Sequence, residues 1–296
     1  MTPSLRDLIE QFTGKDGPHE TELDGLAFYR MTAPADLPPT FCEPSLCVIA
    51  QGAKLVSIGD DRFHYDAEKF LVFSADLPVS ARIVEASVER PYLSLALRLD
   101  YRTVCELAGQ VDAASAQGEP IAAVSVSPAE PDLLEAVTRF VALLGAPRDR
   151  AVLGPLIQRE IIYRLLTGPQ APRLRQLAMA DGHARRILGI LRSLKEHFAS
   201  PLRIEELARG AHMSPSALFQ HFKTVTGMSP LQYQKLLRLH EARRLMLGAG
   251  LDAAEASFRV GYESPSQFSR EYRRRFGAPP RRDVESLRRS ASAAAV

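Results

Sequence analysis

The hydrophobic pattern changes period along the chain. From about Leu23 to Asp100 the apolar residues come in short runs broken by turn residues. Residues 46–50 are closed by Gln51-Gly52 and residues 54–58 by Gly59-Asp60-Asp61. Runs at 62–65, 69–74, 79–84 and 92–99 follow. Runs of this length and spacing predict strands, and so many in succession predict a β-sandwich or barrel. A stretch rich in Ala, Ser and Pro (113–131) reads as a loop. Beyond it the period becomes helical. Leu133, Leu134, Val137, Phe140, Val141 and Leu144 predict one helix, and Leu153, Leu156, Ile157, Ile161 and Leu165 a second. Residues 168–172 read as a linker. Residues 183–198, with Ile187, Ile190, Leu191, Leu194 and Phe198 on one face, predict a further helix, and the small-residue tail 290–296 reads as unstructured.

Within the last third, two stretches repeat at an offset of fifty residues: Ser214-Pro215-Ser216, Leu218, Phe222, Gly227, Pro230, and then Ser264-Pro265-Ser266, Phe268, Tyr272, Gly277, Pro280. Each is a helix with its ends written in. Serine caps the N-terminus, and proline at the next position gives up an N–H that has no partner there. The i, i+4 apolar pairs turn one stripe inward. Glycine ends the helix in a left-handed residue, with proline three residues later. A shorter helix precedes each copy, with Ile204, Leu207 and Ala208 inward in the first. The second has a capping box at Asp252–Glu255, with Ala256 and Val260 inward. Short helix, turn, capped helix is the pattern of a helix-turn-helix.

Charge separates the same two regions. Residues 181–296 carry 20 Lys/Arg against 11 Asp/Glu, whereas the first 180 carry 17 against 24, within a chain of net charge +2. A basic segment beside an acidic one points to a polyanion as the partner of the basic part alone. No apolar run reaches the roughly 18 residues of a membrane helix, and no secretory signal opens the chain. The cysteines Cys42, Cys47 and Cys105 show neither metal spacing nor a disulfide framework, which suits the cytoplasm. The strand region offers His64, with His19 near the start, too few ligands for a catalytic metal. A serine triad pattern, a Walker loop and a dinucleotide turn are likewise missing. The reading is of a non-enzyme with no cofactor.

The repeat resembles the AraC/XylS family of bacterial regulators. The run GYESPSQFSREYRRRFGAPPRR (261–282) is similar to that family's second helix-turn-helix, and residues 206–246 to its first unit plus linking helix. The N-terminal stretch resembles one AraC subgroup through Glu43-Pro44-Ser45-Leu46-Cys47, Gln51-Gly52, Leu77-Pro78-Val79 and Pro91-Tyr92-Leu93 with Leu95 and Leu97. The resemblance implies an α+β architecture. Residues 1–168 would form a cupin-like β-barrel with flanking helices, a domain for sensing a small effector and for dimerisation; residues 181–289 would form an all-α DNA-binding domain with two helix-turn-helix units.

 That resemblance further implies a long linker helix (about 230–247), which holds two recognition helices, Pro215–Thr226 and Pro265–Phe276, about one DNA turn apart.

On such helices the outward positions of the first turns are Ser216, Ala217, Phe219 and Gln220, and Ser266, Gln267, Ser269 and Arg270. Arg270 suits a bidentate contact to guanine, and Gln220 or Gln267 one to adenine, while Phe219 either packs on a thymine methyl or turns inward as core. The family often has a basic residue where Gln220 stands, so the first unit departs from it there. Lys223, Arg273 and Arg274 are placed for phosphates, or as a merely solvated face. Cys47 reads either as an inert buried thiol or, by resemblance to subgroup members that respond to reactive aldehydes, as a sensing thiol, with Cys42 the more accessible of the two in a loop. The expected partners are promoter DNA, a small effector, RNA polymerase and a second copy of the chain, contacted through the two predicted helices within 133–165. Those helices serve equally well as a cover for the barrel. Activation is the sign of regulation that the resemblance implies. A ligand-independent regulator whose barrel only dimerises, and a cupin enzyme with an accessory DNA-binding domain, are the alternatives.

Overall fold

The computed structural model describes residues 3–59, 61–111, 122–178 and 183–294. Helix α1 (Leu5–Gln11) leads into β1 (Gly17–Glu20), β2 (Leu26–Met31), β3 (Ala35–Cys42), β4 (Ser45–Gln51) and β5 (Ala53–Ile58). Strands β6 (Asp61–Asp66), β7 (Lys69–Phe73), β8 (Leu77–Glu85) and β9 (Tyr92–Arg98) follow. Next come α2 (Tyr101–Ala108), β10 (Val124–Pro128), α3 (Pro131–Ala142), α4 (Pro147–Thr167) and α5 (Ala171–Ala178). The rest is helical: α6 (His183–Glu196), α7 (Ile204–Gly210), α8 (Pro215–Thr226), α9 (Pro230–Gly248), α10 (Ala253–Arg259), α11 (Pro265–Phe276) and α12 (Pro280–Ala294).

The strands form two antiparallel sheets, one in the order β1-β2-β9-β4-β7-β10 and one in the order β3-β8-β5-β6. This overturns the expected cupin-like barrel: the sheets face each other but are not closed into one. Closure would need an edge of one sheet to bond an edge of the other. Strand β3 is an edge that cannot extend well, because Pro38 and Pro39 have no N–H to donate and its register with β8 shifts between Leu37 and Thr40. The chain then crosses to the other sheet through Glu43-Pro44. The α+β class itself, strands first and helices after, stands.

Three apolar cores result. On one face of the larger sheet Phe28, Leu46, Val48, Leu93 and Leu95 pack against the helices through Phe140, Ile161 and others. The opposite face supplies Ile49, Leu71 and Phe73, which meet Val56, Ile58 and Val79 of the smaller sheet. That second core continues without a break into Ile187, Leu218, Phe222 and Tyr233, so the first helix-turn-helix unit shares a core with the sheets. The third core, with Leu239, Met246, Phe268 and Tyr272, lies under the second unit. Each such side chain contributes about 1.5–3 kcal/mol by leaving water.

Other departures from the sequence reading have local causes. Part of the expected loop 113–131 is strand β10, whose alternation Val124-Ser125-Val126-Ser127 pairs with β7; residues 112–121 lie outside those described. Within the expected linker, 168–170 is a turn between α4 and α5. Gln170 there is buried, and its amide donates to Ser127 Oγ at 2.6 Å. The tail expected to be unstructured is helical through Ala294, as the end of α12. Helices α1, α2 and α5 had no counterpart in the sequence reading, although Ser4 with Asp7 makes a full capping box and Asp100 caps α2.

Candidate nucleic-acid interface

Helices α8 and α11 begin and end as the repeat predicts. Ser214 Oγ accepts from Ala217 N at 3.2 Å and Ser264 Oγ from Gln267 N at 3.3 Å, each followed by proline in the first turn. Gly227 and Gly277 close the helices at φ +73° and +81°, left-handed conformations that glycine adopts without a Cβ penalty. Leu218 and Phe222 on α8, and Phe268 and Tyr272 on α11, are fully buried. Burying these stripes decides which residues face out. Ser216, Gln220 and Lys223 are exposed on α8, as are Ser266, Gln267, Arg270, Arg273 and Arg274 on α11; Ala217 and Ser269 are half-buried. Phe219 keeps 41% of its surface exposed, so it is not core.

The polar network around α11 was not legible beforehand. Gln267 does not stand free: its amide donates to Glu271 Oε1 at 3.2 Å, which also accepts from Lys235 of α9 at 2.9 Å, while Tyr262 donates to Glu271 Oε2 at 2.9 Å. Burial works against ionisation of Glu271, but the bonds from Lys235, Gln267 and Tyr262 outweigh it and hold the carboxyl below its ordinary range. The only carboxylate of α11 is thereby engaged, and Arg270, Arg273 and Arg274 have no ion-pair partner among the described residues.

Linker helix α9 fixes the two units relative to each other through buried polar groups. Gln234 donates to the carbonyls of Phe198 and Ser200, at 3.0 and 2.7 Å. Arg238 reaches the carbonyls of Phe198, Ala199, Ser200 and Gly261, tying the approach to α7 to the turn before α11. Further along, Arg243 makes two 2.8 Å bonds to Asp283 of α12, and Tyr272 OH donates to the same carboxylate at 2.7 Å.

The sheets touch both units. Lys195 of α6 pairs with Asp76 at 2.7 Å, Tyr233 OH donates to the Asp76 carbonyl at 2.9 Å, and Arg275 of α11 donates to Ser80 Oγ at 3.2 Å. A cleft of about 310 Å³ lies between them, lined by Ser80, Lys235, Arg274 and Arg275 among others. Phe41 of β3 is the aromatic counterpart. Its ring meets Tyr233 at 5.8 Å and His240 at 5.0 Å edge-on; Tyr233 in turn meets Phe222 of α8, and His240 meets Phe276 of α11.

His240 has its Nε2 buried without a hydrogen-bond partner. Burial, with Arg275 and Arg243 close by, pushes its pKa down from 6.5 to about 3. The unfolded chain therefore takes up a proton that the folded one refuses. The stability from this group is complete above pH 6.5 and is lost as the pH falls from there toward 3, at up to about 1.4 kcal/mol per pH unit. Between pH 7.5 and 5.5 the wild type should lose about 1 kcal/mol more than His240→Leu in urea unfolding. Equal losses in the two proteins would show that the imidazole is accessible to protons in the folded state.

The candidate thiols lie between the sheets. Cys42 ends β3 instead of standing in a loop, and burial, reinforced by Cys47, pushes its thiol up to about 12. Burial also raises the Cys47 thiol. Both effects work against a thiolate at neutral pH. Among the described residues no three His, Cys, Asp or Glu side chains are grouped to hold a metal ion, and no helix is long and apolar enough to cross a membrane.

Comparison with known proteins gives this geometry its family. The model of the AraC-type transcriptional regulator N-terminus matches residues 22–173, and a helix-turn-helix domain model matches residues 207–285. The chain belongs to the AraC family of transcriptional regulators. The HTH-type transcriptional regulator CdhR of Pseudomonas aeruginosa is 30% identical over 146 residues, 48% of this chain and 44% of CdhR. The transcriptional activator RhaS of Klebsiella pneumoniae is 28% identical over 152 residues, 50% of this chain and 53% of RhaS. The chain thus spans about half the length of the curated relatives it matches. ToxT of Vibrio cholerae, solved with an unsaturated fatty acid bound, shares the fold with a TM-score of 0.60 at 10% identity, over 88% of this chain and 94% of ToxT.

Proposed function

We propose that this AraC-family chain is a sequence-specific DNA-binding regulator whose helices α8 and α11 enter successive major grooves. The observation that carries the reading is the outer face of α11: three exposed arginines without ion-pair partners, beside a carboxylate already engaged by its neighbours. Arg270, in the second turn, reads a base, while Arg273 and Arg274 neutralise phosphates, as does Lys223 on α8. Ser216, Ala217, Phe219 and Gln220 read through α8, and Ser266, Gln267 and Ser269 assist Arg270. For Gln267 to read a base it must release Glu271.

The N-terminal half, from the start to about 168, serves as the effector-responsive part, and 181–289 as the DNA-binding part. RhaS is named an activator and ToxT was solved with a small molecule, which supports activation in response to a small molecule, with RNA polymerase as partner. Differential affinity of the effector for two arrangements of the halves would be the switch. Val152, Leu156 and Tyr163 are exposed along α4, which supports a homodimer through that helix. Light scattering that returns the mass of a single chain at micromolar concentration would exclude the dimer.

The DNA reading is tested by fluorescence anisotropy of the full chain on fragments from upstream of its own and neighbouring genes, with random DNA as reference. Arg270→Ala should lose about 1–3 kcal/mol on the specific fragment and little on random DNA. Gln220→Ala should weaken the same fragment less. Weak and equal binding to all fragments, unchanged in both variants, would remove base reading by these helices.

A further inference from the structure

The repeat lets the two helix-turn-helix units be compared position by position, and the sheets treat them unequally. At the end of α8, Val225, Thr226 and Met228 are buried. At the end of α11 the same positions hold Arg275, Phe276 and Ala278, none of them buried. The Val225 carbonyl is among the last of α8, which have no partner within a helix. Ala123 N, at the entry to β10, donates to it at 2.9 Å. The Ala123 carbonyl in turn accepts from Ser74 N at 2.8 Å, so this stretch of backbone splints α8 to the end of β7. Among the described residues no backbone N–H of the sheets donates to α11.

The glycines that close the two helices differ in the same way. A Cβ on Gly227 would lie 3.4 Å from the Ile58 carbonyl oxygen, whereas nothing lies within 4 Å of one on Gly277. From the sheet side the approach is closer still. Gly59, at φ +57° in the turn from β5 to β6, would bring a Cβ to 2.6 Å from the Gly227 carbonyl oxygen. Glycine alone suits both that turn and that approach. Asp76, between β7 and β8, adds two ties to the same unit: its carbonyl accepts from Tyr233 OH of α9, and its carboxylate pairs with Lys195 of α6. Among the described residues a single hydrogen bond joins the sheets to α11, from Arg275 to Ser80, beside the cleft of about 310 Å³. Arg275 makes it at the end of a long side chain with several rotatable bonds, whereas the contacts to α8 run through backbone, which has few.

We infer that the backbone at Gly59 and Ala123 positions α8 for DNA, so that the sheets govern the segment read by α8 and leave the segment read by α11 to its own unit. This rests on the proposed reading through both helices, and it adds which of the two the N-terminal half controls. Helix α11 stands on a separate core of Leu239, Met246, Phe268 and Tyr272. A displacement at the end of α8 therefore tilts that helix while α11 keeps its place.

The test titrates the full chain by fluorescence anisotropy on three forms of the specific fragment. One is intact, one is scrambled in the segment that Gln220→Ala reports, and one in the segment that Arg270→Ala reports. Wild type should lose at least about tenfold on either scrambled form. Gly59→Ala should bind the intact fragment about as weakly as wild type binds the form scrambled for α8. It should lose little more on that form, yet keep the full loss on the form scrambled for α11. Gly52→Ala is the control for strain alone: at φ +85°, its Cβ would stand 2.4 Å from the Glu85 carbonyl oxygen, wholly within the sheets. It should keep both losses. The double variant Lys195→Met with Tyr233→Phe frees Asp76 from α6 and α9 without a clash, and should reduce the α8 loss severalfold and leave the α11 loss unchanged. Thermal unfolding shows which variants are folded. The inference is overturned if folded Gly59→Ala keeps the wild-type losses, if it gives up both alike, or if Gly52→Ala matches it. Should Gly59→Ala not fold, the double variant decides, and an undiminished α8 loss overturns the inference. A wild type that binds all three forms alike removes DNA reading by these helices, and the inference with it.

Discussion

Asp283→Ala should destabilise the second helix-turn-helix unit by about 3–5 kcal/mol, the cost of leaving a buried charge without its partner. Arg243 and Asp283 are 9% and 7% exposed, joined by two 2.8 Å bonds, and Tyr272 OH donates to the same carboxylate at 2.7 Å. Removing Asp283 strands the guanidinium and the phenol together. The Arg243 guanidinium also lies 4.4 Å from the centre of the Phe276 ring, so its displacement would disturb the end of α11. The double change Arg243→Met with Asp283→Leu should cost much less than Asp283→Ala alone, because no charge is then left unpaired. Urea unfolding checks this directly. A single variant within about 1 kcal/mol of wild type would mean that solvent reaches this pair and screens it.

Gly261→Ala is expected to cost more than about 3 kcal/mol, because backbone strain and a direct clash add there. Gly261 sits at φ +85°, and a Cβ on it would stand 2.1 Å from the carbonyl oxygen of Ala199. That carbonyl is itself held by Arg238, so the backbone has little freedom to retreat. Gly277→Ala is the control. Its φ is +81°, but nothing lies within 4 Å of its would-be Cβ, so only the left-handed strain of about 1–2 kcal/mol remains. Thermal unfolding of the two variants should separate them clearly. Equal losses would show that the turn before α11 shifts to make room.

The two units solve the same turn differently, and this bears on what was legible. The second uses Gly261 at positive φ, which the sequence announces. The first places His212 at φ +51°, a conformation that a reading based on glycine does not anticipate. The strands at 46–50, 54–58 and 62–65 were visible as short apolar runs, each within one or two residues of β4, β5 and β6. Their grouping into two open sheets was not, because pairing depends on which distant edges meet. Lys54 opens the run 54–58, and the alternation along β5, paired with β6 and β8, puts it on the face of Val56 and Ile58.

By itself the sequence determined the bounds of α8 and α11, the stripes they bury and hence the residues they expose. Caps, proline at the first position and a closing glycine act within one or two turns, so their physics is complete in the local chain. The tertiary structure alone decided that the sheets stay open, that Glu271 gathers Lys235, Tyr262 and Gln267, and that Arg238 binds the two units together. It also linked Phe41 to α8 and α11 by way of α9. These depend on groups that are far apart in the chain, and burial makes their polar atoms seek whatever partner the packing brings within reach.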